Sequence, residues 1–158
     1  MNFLDAISID IENEFNYLEV FIELLKSESI KYSEFNANFT NYKDELSSKA
    51  GVYHFFSVSD KNTLSLYVGK AGRGKNKEWN LYQRLMQHRQ ASQTDTIHGA
   101  IAKELGSENE KVIKFLCDSE IYIQYIGISE NESSDVENLI KDIEHYCIQI
   151  LNPRYTDK

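Results

Sequence analysis

The chain has 158 residues, a length that suits one domain with a modest extension. Hydrophobic residues make up 41%, which excludes disorder as the starting assumption, because that fraction can build a real core. The formal net charge of −8 argues against a simple phosphate binder, since such a surface needs cations. The charge is unevenly placed, however. Residues 68–90 hold six cations (Lys70, Arg73, Lys75, Lys77, Arg84, Arg89) against Glu78, a balance of +5, whereas residues 1–48 hold ten acids against three lysines. Segregation of this kind suits one basic working face on an acidic body. Cys117 and Cys147 lack metal-ligand spacing and read as reduced, buried small residues. Met1–Asp10 lacks the cationic start of a signal peptide, and no apolar run approaches a membrane span, so a cytoplasmic protein is expected.

In chain order, residues 10–27 have helical periodicity, with Ile11, Phe15, Leu18, Ile22 and Leu25 at steps of three and four. A second helix is expected over 38–48. Residues 1–50 thus form a helical extension without a chemical constellation. Its 10–27 helix offers a packing surface, a homodimer contact or a site for a larger protein partner. The period then changes to two. Residues 51–58 and 63–70 read as strands around a turn at Ser59–Asn62. Centring the hairpin on Asp60 pairs Val52 with Val68, His54 with Leu66 and Phe56 with Leu64 on an apolar face. It sets Tyr53 across from Tyr67 on the other, non-core face. A Gly- and Lys-rich loop follows over 71–78, then helices over 79–89, 97–105 and 109–116, and a third strand over 120–128. The last helix opens on a capping-box pattern, Ser134-x-x-Glu137, and ends at Asn152-Pro153. The expected fold is α+β: a small three-stranded antiparallel sheet flanked by helices over 51–158, preceded by the 1–50 extension.

Gly51-Val52-Tyr53 and Tyr67-Val68-Gly69-Lys70 resemble the paired strand motifs of the GIY-YIG nuclease superfamily. The order that follows also fits: Arg84 and His88 one helical turn apart, then His98, then Glu144 on a helix before Pro153. The resemblance covers about residues 51–157. Either tripeptide alone is weak; the set in this order is specific. It implies a metal-dependent endonuclease that hydrolyses phosphodiester bonds, DNA before RNA, with a single Mg²⁺ or Mn²⁺ ion.

Such chemistry needs an acidic metal ligand, a cation on the phosphate and a proton acceptor for water. Glu144 lies at the edge of the apolar stripe of its helix, where a hard cation would compensate a partly desolvated carboxylate. Taken alone it is an ordinary boundary carboxylate. Arg84 can hold two phosphate oxygens, and His88 at i+4 can reach a phosphate or leaving oxygen. Both types also occur as plain surface residues. The resemblance implies Tyr53 as general base, its pKa lowered by nearby cations, with Tyr67 supporting it; otherwise the two are a cross-strand aromatic pair. Lys70 is expected to lower a tyrosine's pKa or to touch phosphate, and His98 matches a second functional histidine of some members. Gly69 is expected to permit a close approach by chain or substrate. Arg73, Lys75, Lys77 and Arg89, with Lys70 and Arg84, are the expected nucleic-acid contacts. Where many members carry a late asparagine this chain has Thr156, with Asn152 four residues earlier: either serves, or the supporting contact is absent. That departure and the net acidity favour an alternative, an inactive module of the same fold that binds nucleic acid or a protein.

Overall fold

The computed structural model describes residues 16–72, 80–90, 95–106, 109–129 and 134–156. In chain order the elements are a helix over residues 16–26 (α1), strand β1 (Ile30–Lys31), helix α2 (Tyr32–Ala37), a 3₁₀ turn (Phe39–Tyr42) and helix α3 (Lys43–Leu46). Strands β2 (Ala50–Val58) and β3 (Thr63–Ala71) come next, then helices α4 (Leu81–Gln87), α5 (Ile97–Leu105) and α6 (Asn109–Asp118), strand β4 (Ile121–Ser129) and helix α7 (Ser134–Leu151). The class is α+β, with one antiparallel sheet in the order β1-β4-β2-β3. The sheet therefore has four strands rather than the expected three. The addition is Ile30–Lys31, which pairs with Ile123 and Tyr122 and is too short to carry a period. The helix expected over 38–48 is instead a 3₁₀ turn followed by a single α turn, and the one expected over 79–89 spans Leu81–Gln87. The cap expected at Ser134 lies outside the described side chains. No helix among the described residues is long and apolar enough to cross a membrane.

Both faces of the sheet are covered. Tyr53, Phe55 and Tyr67 lie in one core with residues of α2 to α6, and Val52 and Val68 in another with α1 and α7. Strand β2 is consequently buried from Ala50 through Phe55. The face holding the two tyrosines is not solvent-facing, contrary to the expectation from alternation. A strand buried on both faces reads as a continuous apolar run, and Val-Tyr-His-Phe-Phe is close to that.

The hairpin register differs from one centred on Asp60. After the turn, where Ser59 N–H donates to Asn62 O at 2.9 Å, Val58 pairs with Thr63 and Phe56 with Ser65. The register then shifts, so that Phe55 pairs with Tyr67 and Tyr53 with Gly69. Leu66 is the extra residue of this bulge, and both Leu66 and Tyr67 enter the same core. Tyr53 and Tyr67 are thus diagonal neighbours rather than directly opposed.

Residues 16–46 contribute Leu24, Tyr32, Phe35 and Leu46 to the two cores, each no more than 1% exposed. On α1 the buried strip is Tyr17, Phe21 and Leu24, not the expected stripe, of which Leu18, Ile22 and Leu25 are 37–40% exposed. Ile11 and Phe15 lie outside the described residues. Apolar residues occupy two adjacent strips of this helix. Tyr146 of α7, edge-on to Phe21 at 6.0 Å, engages the first of them.

His54 is held neutral in the sheet. Its Nε2 lies 2.9 Å from Ser65 Oγ, and burial pushes its pKa down to about 4, with Gln124 opposing only part of the shift. The unfolded chain therefore binds this proton more tightly. Stability is fully present above the unfolded value of 6.5 and is lost as pH falls towards 4. Between pH 7 and 4.5 this group alone should cost about 2–3 kcal/mol. Denaturant melts of wild type and His54→Gln at the two pH values check this. Equal pH dependence in both would remove His54 as the cause.

Candidate active site

Helix α4 aims Arg84 and His88 at the sheet. Asn80 Oδ1 caps it by accepting from Gln83 N–H at 2.9 Å, and Leu81, Tyr82 and Leu85 anchor its buried face. His88, at the helix end, is fully buried rather than at the surface. Its Nδ1 accepts from the backbone N–H of Ile97 at 3.0 Å, and its Nε2 lies 2.7 Å from Tyr53 Oη. A backbone N–H can only donate, so Nδ1 is the bare nitrogen. In the neutral ring Nε2 then carries the proton and donates to Tyr53. Burial, with Arg84 adding to it, drives the His88 pKa well below its usual value, so the ring is neutral.

Tyr53 is buried among the rings of Phe55, Tyr67 and His88, stacked on Tyr67 at 6.2 Å with an interplanar angle of 11°. Its ring passes over Gly69, where an added Cβ would stand 2.3 Å from Tyr53 Oη. The close approach that Gly69 permits is therefore made by Tyr53. Tyr67 Oη donates to the carbonyl of Asp95 at 2.9 Å. Burial raises the pKa of both phenols, and the nearby Arg84 charge offsets only part of this. The protein's own cations thus do not lower the Tyr53 pKa, because its face of the sheet is a core.

Glu144 stands on α7 and shares the wall of a cleft with Tyr67. Burial raises its carboxyl pKa, and the charges of Lys70, His145 and Arg84 pull it back. Its charge in turn reaches Tyr53 and Tyr67. Lys70 is exposed on β3, opposite Val52. Tyr67, Val68 and Glu144 form one end of a cleft of about 1000 Å³ between α5 and α7. The chain beyond α7 braces this end. Arg154 N–H donates to Ser65 O at 3.2 Å and Tyr155 N–H to Leu66 O at 2.8 Å. Thr156 Oγ1 accepts from Val68 N–H at 2.8 Å and donates to Val68 O at 3.2 Å. Asn152, with φ of 46°, ends α7 instead. Thr156 thus ties the chain beyond α7 to β3.

Other expected residues are placed elsewhere. His98 is buried on α5 beside Asn109, while Thr96, Gly99 and Ala100 face the cleft. Arg89 lies over the Phe39 ring at 3.9 Å and donates from Nε to Asn36 Oδ1 at 2.8 Å and from Nη2 to Asn36 O at 3.2 Å. Those contacts fasten the end of α4 to α2. Arg73, Lys75 and Lys77 lie outside the described residues. Asp95 and Ile97 hold Tyr67 and His88 through backbone atoms, which leave no mark in side-chain motifs.

Comparisons with protein-family models, curated proteins and solved structures return no match. Among the described residues no three His, Cys, Asp or Glu side chains gather as a metal cage. Glu144 is a half-buried carboxylate in the cleft wall; ions such as Mg²⁺ commonly take one or two carboxylates, keeping water and substrate oxygens for the rest.

Proposed function

We propose that the protein is a GIY-YIG-type endonuclease that hydrolyses phosphodiester bonds in nucleic acid, DNA first, with Glu144 holding one Mg²⁺ or Mn²⁺ ion. The observation that carries the reading is that Tyr53, Tyr67, Arg84 and His88 lie together against one face of the sheet, with the Glu144 charge acting on both tyrosines, and that Tyr67 and Glu144 share the wall of one cleft. When bound, the ion would supply positive charge against the phosphate and the carboxylate. Arg84 binds the phosphate and offsets the charge that grows on it during in-line attack. Tyr53 must first give up its own proton against the burial that raises its pKa; as phenolate it then takes the proton from the attacking water while the new P–O bond forms and the leaving oxygen departs with the bonding pair. His88 donates to the Tyr53 oxygen throughout and favours its ionised form. Tyr67 aligns the Tyr53 ring, and Lys70 balances the carboxylate charge.

The direct test is incubation of supercoiled plasmid with the full chain in Mg²⁺, in Mn²⁺ and in EDTA. Nicked or linear product is expected with either metal and none in EDTA. Intact plasmid in all three, or equal cutting in EDTA, would contradict the reading.

A further inference from the structure

The cleft that begins at Glu144 is larger than a phosphodiester needs. At about 1000 Å³ it lies at the upper end of the range for pockets that enclose whole small molecules. Away from Tyr67 and Glu144 it is walled by Gly99 and Ala100 of α5, by Ile148 and Gln149 of α7, and by Tyr155. These are small, apolar, amide and aromatic groups. Among the described residues the only lysine or arginine in its wall is Lys103, against the acids Asp95 and Glu144. A duplex presents one charge per ~1.7 Å of axis and is held by rows of cations. An unstacked base is held by an aromatic face, apolar contact and side-chain hydrogen bonds.

The geometry points to this cleft as a seat for an unpaired nucleotide beside the bond to be cut, so that the substrate is a single-stranded or locally unpaired strand. The inference rests on the nuclease reading of the Glu144 end. Tyr155 supplies the stacking face, with the Arg154 guanidinium 5.3 Å from its ring centroid, and Gln149 supplies hydrogen bonds to base edges. Ala100 and Gly99 leave room for the base.

The test uses the full chain carrying Glu144→Gln, in Mg²⁺, with fluorescein-labelled oligothymidylate alone or annealed to oligoadenylate, read by anisotropy. The single strand should bind at least about tenfold more tightly than the duplex. Filling the cleft by Ala100→Trp, or from the exposed Gln149 position by Gln149→Trp, should weaken single-strand binding about tenfold or more, with unchanged thermal melting. Equal or tighter duplex binding, no binding of either, or two folded cleft-filling variants that bind like their parent would overturn the inference. Failure of the two readings is separable. Glu144-dependent plasmid cutting with tight duplex binding sinks the cleft inference and spares the nuclease. Cleft-dependent strand binding by a wild-type chain that cuts nothing supports the nucleotide seat and removes the nuclease.

Discussion

Tyr53→Phe is expected to slow cleavage by about 10²–10⁴-fold, the usual contribution of a positioned general base. The ring stays, and with it the stack on Tyr67 and the edge contacts to Phe55 and His88. What disappears is the oxygen that accepts the His88 Nε2 proton. His88 is fully buried and cannot turn to water, because Nδ1 is fixed by Ile97 N–H. A donor stranded in this way costs about 1–3 kcal/mol of stability. That corresponds to a drop in Tm of several degrees for a chain of this size. Single-turnover rates, measured well below both melting transitions, separate the catalytic loss from the structural one. A fall of less than tenfold in a folded variant would move the base to another residue.

Gly69→Ala should be a damaging single-methyl change at the site. The new Cβ would stand 2.3 Å from Tyr53 Oη and 2.5 Å from Cζ. Long side chains often swing clear of such a clash, but Tyr53 is closed in by Phe55, Tyr67 and His88. The strand or the ring must shift. Overpacking of this kind costs about 1–3 kcal/mol or more, and activity should fall with it, since the displaced atom is the proposed base. If the clash is the whole cause, Tyr53→Ala in the same chain relieves it. The double variant should then be more stable than the sum of the two single losses. Denaturant melts of the four chains give the coupling. Additive losses, or a Gly69→Ala chain as stable as wild type, would show that Tyr53 does not lie over Gly69.

Much of the framework was legible in the sequence. The hairpin strands, α5, β4 and α7 lie within a residue or so of where periodicity and the Asn-Pro stop put them. Three features were not legible, each for a physical reason. A two-residue strand such as Ile30–Lys31 carries no period. A strand covered on both faces gives alternation nothing to choose between, so the tyrosine face passed for a solvent face. The bulge at Leu66 depends on how two strands meet, which neither strand encodes alone. The site divides in the same way. Residue type and order mark Tyr53, Arg84, His88 and Glu144 as candidates. They cannot separate Arg84 from Arg89 on the same segment, because that choice is made by Phe39 and Asn36, far away in the chain. Nor can they show that His98 is absent from the cleft wall or that Thr156 ties down β3.

The most direct measurement is plasmid cleavage in Mg²⁺ by Glu144→Gln beside the wild type, with thermal melts of both. Glutamine keeps the shape of the half-buried side chain and removes the charge that would hold the ion. The expected result is metal-dependent cutting by the wild type and none by a variant that melts at nearly the same temperature. A folded Glu144→Gln chain that cuts at the wild-type rate would contradict the assignment of this site.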